Sequence, residues 1–102
     1  MSNTMTHRHA TMIPKSDKID EIRELLVQCE QQISLKKAEG GPISWSASYD
    51  EESNRFYVDS IFADEEQLAF HQQNIGPILK GMFPLLEAPP EATIYAVFAV
   101  TQ

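Results

Sequence analysis

Between Ile43 and Ala63 large apolar side chains recur at every second residue on both sides of a short acidic turn, and an Asp-led amphipathic stretch begins at once. Ile43, Trp45, Ala47 and Tyr49 alternate with Ser44, Ser46, Ser48 and Asp50, the period of two that gives a strand one apolar face. Glu51 to Asn54 forms the turn. A four-residue turn sets Asp50 opposite Arg55 and puts Trp45 and Ala47 on the face of Val58, Ser60 and Phe62; a five-residue turn would set apolar residues against serine. The returning strand carries Tyr57, Asp59, Ile61 and Ala63 on its other side, so both of its faces hold large groups.

The flanking segments complete the order βαββαβ. Thr6 to Ile13 reads as a first strand closed by Pro14. Ile19, Ile22, Leu26, Cys29 and Ile33, widened by Leu25, recur at helical spacing. Ser16 or Asp17 can cap that helix, Asp20, Glu21 and Glu24 crowd its start, Lys36 and Lys37 lie near its end, and Gly40-Gly41 stops it. Asp64 with Gln67 makes a capping box for a second helix through Leu68, His71, Ile75, Ile78, Leu79 and Met82, with a break expected at Gly76-Pro77. Thr93 to Val100, TIYAVFAV, predicts a last strand buried on both sides.

This order predicts an α+β, ferredoxin-like domain spanning residues 1–102, an antiparallel four-stranded sheet with both helices on one face. The other face would then expose Tyr57, Ile61, Tyr95, Val97 and Ala99, more apolar surface than a monomer tolerates. A second copy packed sheet to sheet about a two-fold axis covers it, so the chain is expected to be a homodimer, a dimeric α/β barrel.

A net charge of -7 with eight scattered Lys and Arg argues against a nucleic-acid partner. The N-terminal MSNTMTHRHATMIPK lacks the apolar run of a signal peptide, and no window is long enough to cross a bilayer, so no membrane partner and a cytoplasmic location are expected. The single cysteine, Cys29, falls on the apolar stripe of the first helix and is expected to pack there.

GGPISW, YDEESNRFYVDSIFADEEQL and the histidine of LAFH resemble the antibiotic biosynthesis monooxygenase family of the dimeric α/β-barrel superfamily. The resemblance covers most of the chain. It implies a pocket between helices and sheet that holds an aromatic or polycyclic substrate, which some family members oxidise with molecular oxygen and neither metal nor flavin. Other members of the superfamily isomerise, cyclise or degrade haem. The similar oxygenases carry a Trp at the end of the third strand and an Asn four residues earlier, where this chain has Phe62 and Val58. Haem degradation is further disfavoured because His7-Arg8-His9-Ala10 offers no Asn on the first strand.

The expectation is thus a cofactor-independent monooxygenase acting on an aromatic or quinol-like molecule, with no cofactor and no metal. The alternatives are a non-catalytic module binding a small hydrophobic ligand, or an isomerase or cyclase. His71, on the inner side of the second helix, is the candidate proton acceptor or substrate anchor, against the plain reading of a structural histidine. Trp45, Val58, Ser60, Phe62, Leu68 and Phe70 are the candidate substrate-binding residues, or simply core. His7 and His9 point to one face and could join His71 around a metal, but no carboxylate or cysteine stands at a recognised ligand spacing. Asp59, inside a strand, needs a partner such as an Arg or a Tyr hydroxyl.

Overall fold

In the computed structural model, which describes residues 5–101, the elements are β1 (Thr6–Met12), α1 (Ile19–Leu35), β2 (Ser44–Asp50), β3 (Arg55–Phe62), α2 (Glu65–Met82), a 3-10 turn (Phe83–Leu85) and β4 (Glu91–Ala96). The four strands form one antiparallel sheet in the order β2-β3-β1-β4. Asp50 pairs with Arg55, Ala47 with Val58 and Trp45 with Ser60, the register that the four-residue turn dictates. Asn54 closes that turn at φ 54, a conformation Asn adopts more readily than most residues, and its side chain accepts a hydrogen bond from the Tyr49 hydroxyl.

Both helices lie on one face of the sheet. Ile22, Leu26 and Cys29 of α1 and Ile75 and Met82 of α2 are buried with Met12, Phe56 and Leu86 in one core. Burial pushes the Cys29 thiol up to about 11, so it remains protonated and packs as a small apolar group. Gln32 of α1 donates to the Asn74 side chain of α2 at 2.8 Å, a polar tie between the helices.

Four expectations need correction. Neither Ser16 nor Asp17 caps α1: the helix opens at Lys18 without a side-chain cap, and it closes at Leu35 with Lys36 as its C-cap and Lys37 next to it, near the end as expected. Gly40 and Gly41 follow that exit, and Gly41 sits at φ 105, where an L side chain would be strained. Next, α2 runs unbroken through Gly76-Pro77. Proline removes one helical hydrogen bond, but Ile75 and Met82, buried on either side of it, hold the helix to the core.

The last strand departs most. β4 ends at Ala96 and every residue of it is exposed, because it is the sheet edge that the helices leave uncovered; just past it the Val97 amide donates to the Met5 carbonyl at 2.8 Å. Ile94, Tyr95 and Phe98 stand at 57%, 50% and 99% exposure. The open face differs as well. Val97 and Ala99 fall past the strand, and beside Tyr57, Ile61 and Tyr95 the sheet presents His7, His9, Asp59 and the serines of β2, so that face is polar at its centre rather than oily.

Candidate active site

The alternation of β1 sends Arg8, Ala10 and Met12 to the helix side of the sheet, where they meet Trp45 of β2 and Val58 and Ser60 of β3. The phase of α2 is set at its start. Asp64 Oδ1 accepts the Gln67 amide at 2.9 Å, and Gln67 Oε1 accepts the Ala63 amide at 2.7 Å, a reciprocal cap. About two turns on, this phase brings His71 over the sheet, with Leu68, Ile75 and Leu79 along the same stripe.

Between these surfaces lies a cavity of about 320 Å³ whose wall includes Arg8, Trp45, Val58, Ser60, Leu68 and His71. That size is sufficient for a small ring system. A larger cleft of about 450 Å³ runs between α1 and β2, past Arg23, Val27, Glu30 and Tyr49, and shares Trp45 with the first. The smaller space is the better chemical candidate, because only it is lined by a histidine.

His71 is 8% exposed, and its Nδ1 is buried without a hydrogen-bond partner. Trp45 Nε1 is buried and unpartnered as well. Native interiors leave few such atoms unpaired, and here both belong to residues lining one cavity. Burial, followed by the charge of Arg8, pushes the His71 imidazolium down to about 4, so at neutral pH the ring is uncharged. That ring meets Phe62, fully buried, in a T-shaped contact at a centroid distance of 5.1 Å and an interplanar angle of 61°.

Of the candidate substrate-binding residues, Trp45, Val58, Ser60 and Leu68 line the cavity with His71. Phe62 stands behind His71, and Phe70 packs on Gly40, where an added Cβ would lie 2.9 Å from the ring. Arg8 is the site residue that sequence reading missed. Its signal was present: Ala10 and Met12, the apolar partners of Arg8 at period two, mark the side of β1 that turns inward.

No family model matches the chain, and no curated protein matches its sequence. Solved structures do match its shape. A Nitrosomonas europaea protein named for the antibiotic biosynthesis monooxygenases superposes over 100% of this chain and 98% of its own with a TM-score of 0.82 at 17% identity. A Caulobacter crescentus protein of the same naming covers 95% of this chain and 92% of its own, with a TM-score of 0.82 at 16% identity. The chain has the fold of the antibiotic biosynthesis monooxygenases. Another Nitrosomonas europaea structure, of a protein of unknown function, matches at a TM-score of 0.78 and 22% identity over 100% of this chain and 97% of that one. Among the described residues no helix is long and apolar enough to cross a membrane.

His7 and His9 lie on the opposite side of the sheet from the cavity, so the arrangement of His7, His9 and His71 around one metal does not form. Their partner is Asp59, which thereby finds histidines in place of the Arg or Tyr hydroxyl expected for it.

Proposed function

We propose that this chain is a small cofactor-independent monooxygenase acting on a phenolic or quinol-like aromatic molecule bound between helices and sheet. The observation that carries the reading is the unpartnered, uncharged His71 imidazole on an apolar cavity that also presents Arg8. A substrate hydroxyl docked there donates to the His71 imidazole, while the guanidinium favours the phenolate over the phenol. An imidazole held this low is a poor base by itself. The developing phenolate beside it supplies the negative charge that makes its protonation favourable, so base strength appears only with substrate in place.

The deprotonated ring is the reductant. Oxygen accepts four electrons from it: a ring C–H carbon becomes a quinone carbonyl, one oxygen atom enters the product and the other leaves as water. Val58, Leu68 and Phe62 contribute an apolar surround that keeps bulk water from the reacting anion. The exposed Ile94, Phe98 and Val100 support assembly as a homodimer, and a single buried thiol suits a cytoplasmic setting.

Oxygen uptake with a panel of phenols and quinols tests this directly. Consumption by the parent that falls about 100-fold or more in His71→Ala supports the oxygenase, in the range expected for a positioned proton acceptor. Equal turnover under nitrogen would point to an isomerase or cyclase instead. A second reading, a non-catalytic module for a small hydrophobic ligand, is favoured by Phe62 and Val58 standing where similar oxygenases carry Trp and Asn; ligand binding without any turnover would establish it.

A further inference from the structure

On the open face of the sheet, away from the cavity, β1 and β3 converge three metal-ligand side chains. His7 and His9 are two apart on β1 and project to one side, and Asp59 pairs directly with His9 across the ladder. His7 Nε2 lies 2.8 Å and His9 Nδ1 2.7 Å from the same carboxylate oxygen, Asp59 Oδ1, and all three atoms fall within 4.8 Å of one another. These are the two central strands of the sheet, so the spacing is fixed by backbone pairing rather than by a loop. We propose that His7, His9 and Asp59 form a binding site for a first-row divalent transition-metal ion, one ion per chain.

The geometry suits such an ion. Two imidazole nitrogens and one carboxylate oxygen are the donor set of open zinc and iron(II) centres, with the remaining positions left to water or a ligand. Ligands at 2.0 to 2.2 Å from a tetrahedral ion stand roughly 3.3 Å apart. Asp59 Oδ1 therefore needs to retreat from each ring by about half an ångström, and the two ring nitrogens, within 4.8 Å of each other, turn toward the same spacing. In the ion-free arrangement each ring donates an N–H to Asp59. On metallation the proton of His7 moves to Nδ1 and that of His9 to Nε2, leaving both facing nitrogens as lone-pair donors.

The surroundings support the site. Tyr57 stacks on the His9 ring at 5.4 Å between centroids and 23° between planes, and Tyr95 leans on His7 at 5.6 Å, so both imidazoles are held in orientation. In the single chain each side chain of the triad keeps about a third of its surface open, enough for the ion to enter. Burial alone would raise Asp59, but the hydrogen bonds and charges of His9 and His7 outweigh it and hold the carboxyl below its ordinary value, leaving it an anion ready to ligate.

The test uses the full chain without an affinity tag. Zn2+ titrated calorimetrically, and Co2+ followed by its visible absorption, are expected to bind at one equivalent per chain with micromolar or tighter affinity, shifting the NMR signals of His7 and His9 while leaving His71 unmoved. Asp59→Asn and His9→Gln are each expected to weaken binding at least 10- to 100-fold, the loss that even an outer-shell partner produces. Absence of Zn2+ binding at 100 times that concentration, or unchanged affinity in a folded Asp59→Asn protein, overturns the site and leaves Asp59 as a hydrogen-bonded strut between two histidines. Should Asp59→Asn fail to fold, His7→Gln decides by the same criterion. Oxygen uptake is not a readout of this site, so its failure and that of the cavity reading are separable.

Discussion

The His71 imidazole packs edge-to-face with the fully buried ring of Phe62, and nothing among the described residues hydrogen-bonds its Nδ1. This pair couples the cavity to stability, because protonating His71 would place a cation in an apolar niche already under the field of Arg8.

The sign of the pH effect follows from that arrangement. The imidazolium ordinarily loses its proton near 6.5, as it does in the unfolded chain, while in the folded chain it does so near 4. Between these values the unfolded state binds the extra proton, so the penalty is absent above pH 6.5, grows as pH falls and is complete below pH 4. Its full size is roughly 3 kcal/mol. Urea titrations at pH 7 and pH 4.5 are expected to show most of this loss in the parent and a much flatter profile in His71→Gln. An equally steep fall in the variant would place the acid sensitivity elsewhere, for instance at Asp59, whose stabilisation is also lost in acid.

Arg8 is the second cause of that depression, after burial. In Arg8→Met the His71 pKa is expected to rise toward, but not reach, its ordinary value, since desolvation remains. Histidine C–H shifts followed by NMR across pH 3 to 8 measure it. A phenolate-type ligand should bind about tenfold or more weakly to the same variant, because a charge-assisted hydrogen bond contributes roughly 1.5 to 3 kcal/mol.

Much of the fold was legible because it is written in short-range pattern. The register of β2 on β3 followed from Trp45 and Ala47 needing the face of Val58 and Ser60, and the start of α2 from Asp64 and Gln67. What escaped depended on position in the assembled sheet. TIYAVFAV has the composition of a central strand, yet β4 is an edge, and no local property of that sequence says which strand will lie outermost. Pro77 reads as a helix breaker until Ile75 and Met82 are seen anchored around it. The candidate cavity was partly legible through the period of α2, which gave His71 and Leu68; Arg8 and the meeting of His7, His9 and Asp59 required the pairing of β1 with β3, a contact about fifty residues apart.

Gly40 allows the ring of Phe70 to lie on bare backbone, so Gly40→Ala is expected to destabilise the fold by about 1 to 3 kcal/mol through overpacking. Because the clash is with one side chain, Phe70→Leu in the same protein should recover part of the loss. A double-mutant cycle in urea measures the coupling, and strict additivity would show that the two residues do not touch.

The exposed end of β4 makes the assembly testable by one charge. Phe98 at 99% exposure, Ile94 at 57% and Val100 at 39% gather on and beyond an edge strand, and burying side chains of this size contributes about 1.5 to 3 kcal/mol each. If a second copy covers them, sedimentation at micromolar concentration will find dimers of the parent, and Phe98→Glu will dissociate them, since a carboxylate cannot be desolvated there without a partner. The far-ultraviolet spectrum of the variant should stay unchanged, as Phe98 contributes nothing to the core of its own protomer. Parent protein that sediments as a monomer under these conditions would remove the homodimer from the account while leaving the His71 cavity, which is built wholly from one chain, as it stands.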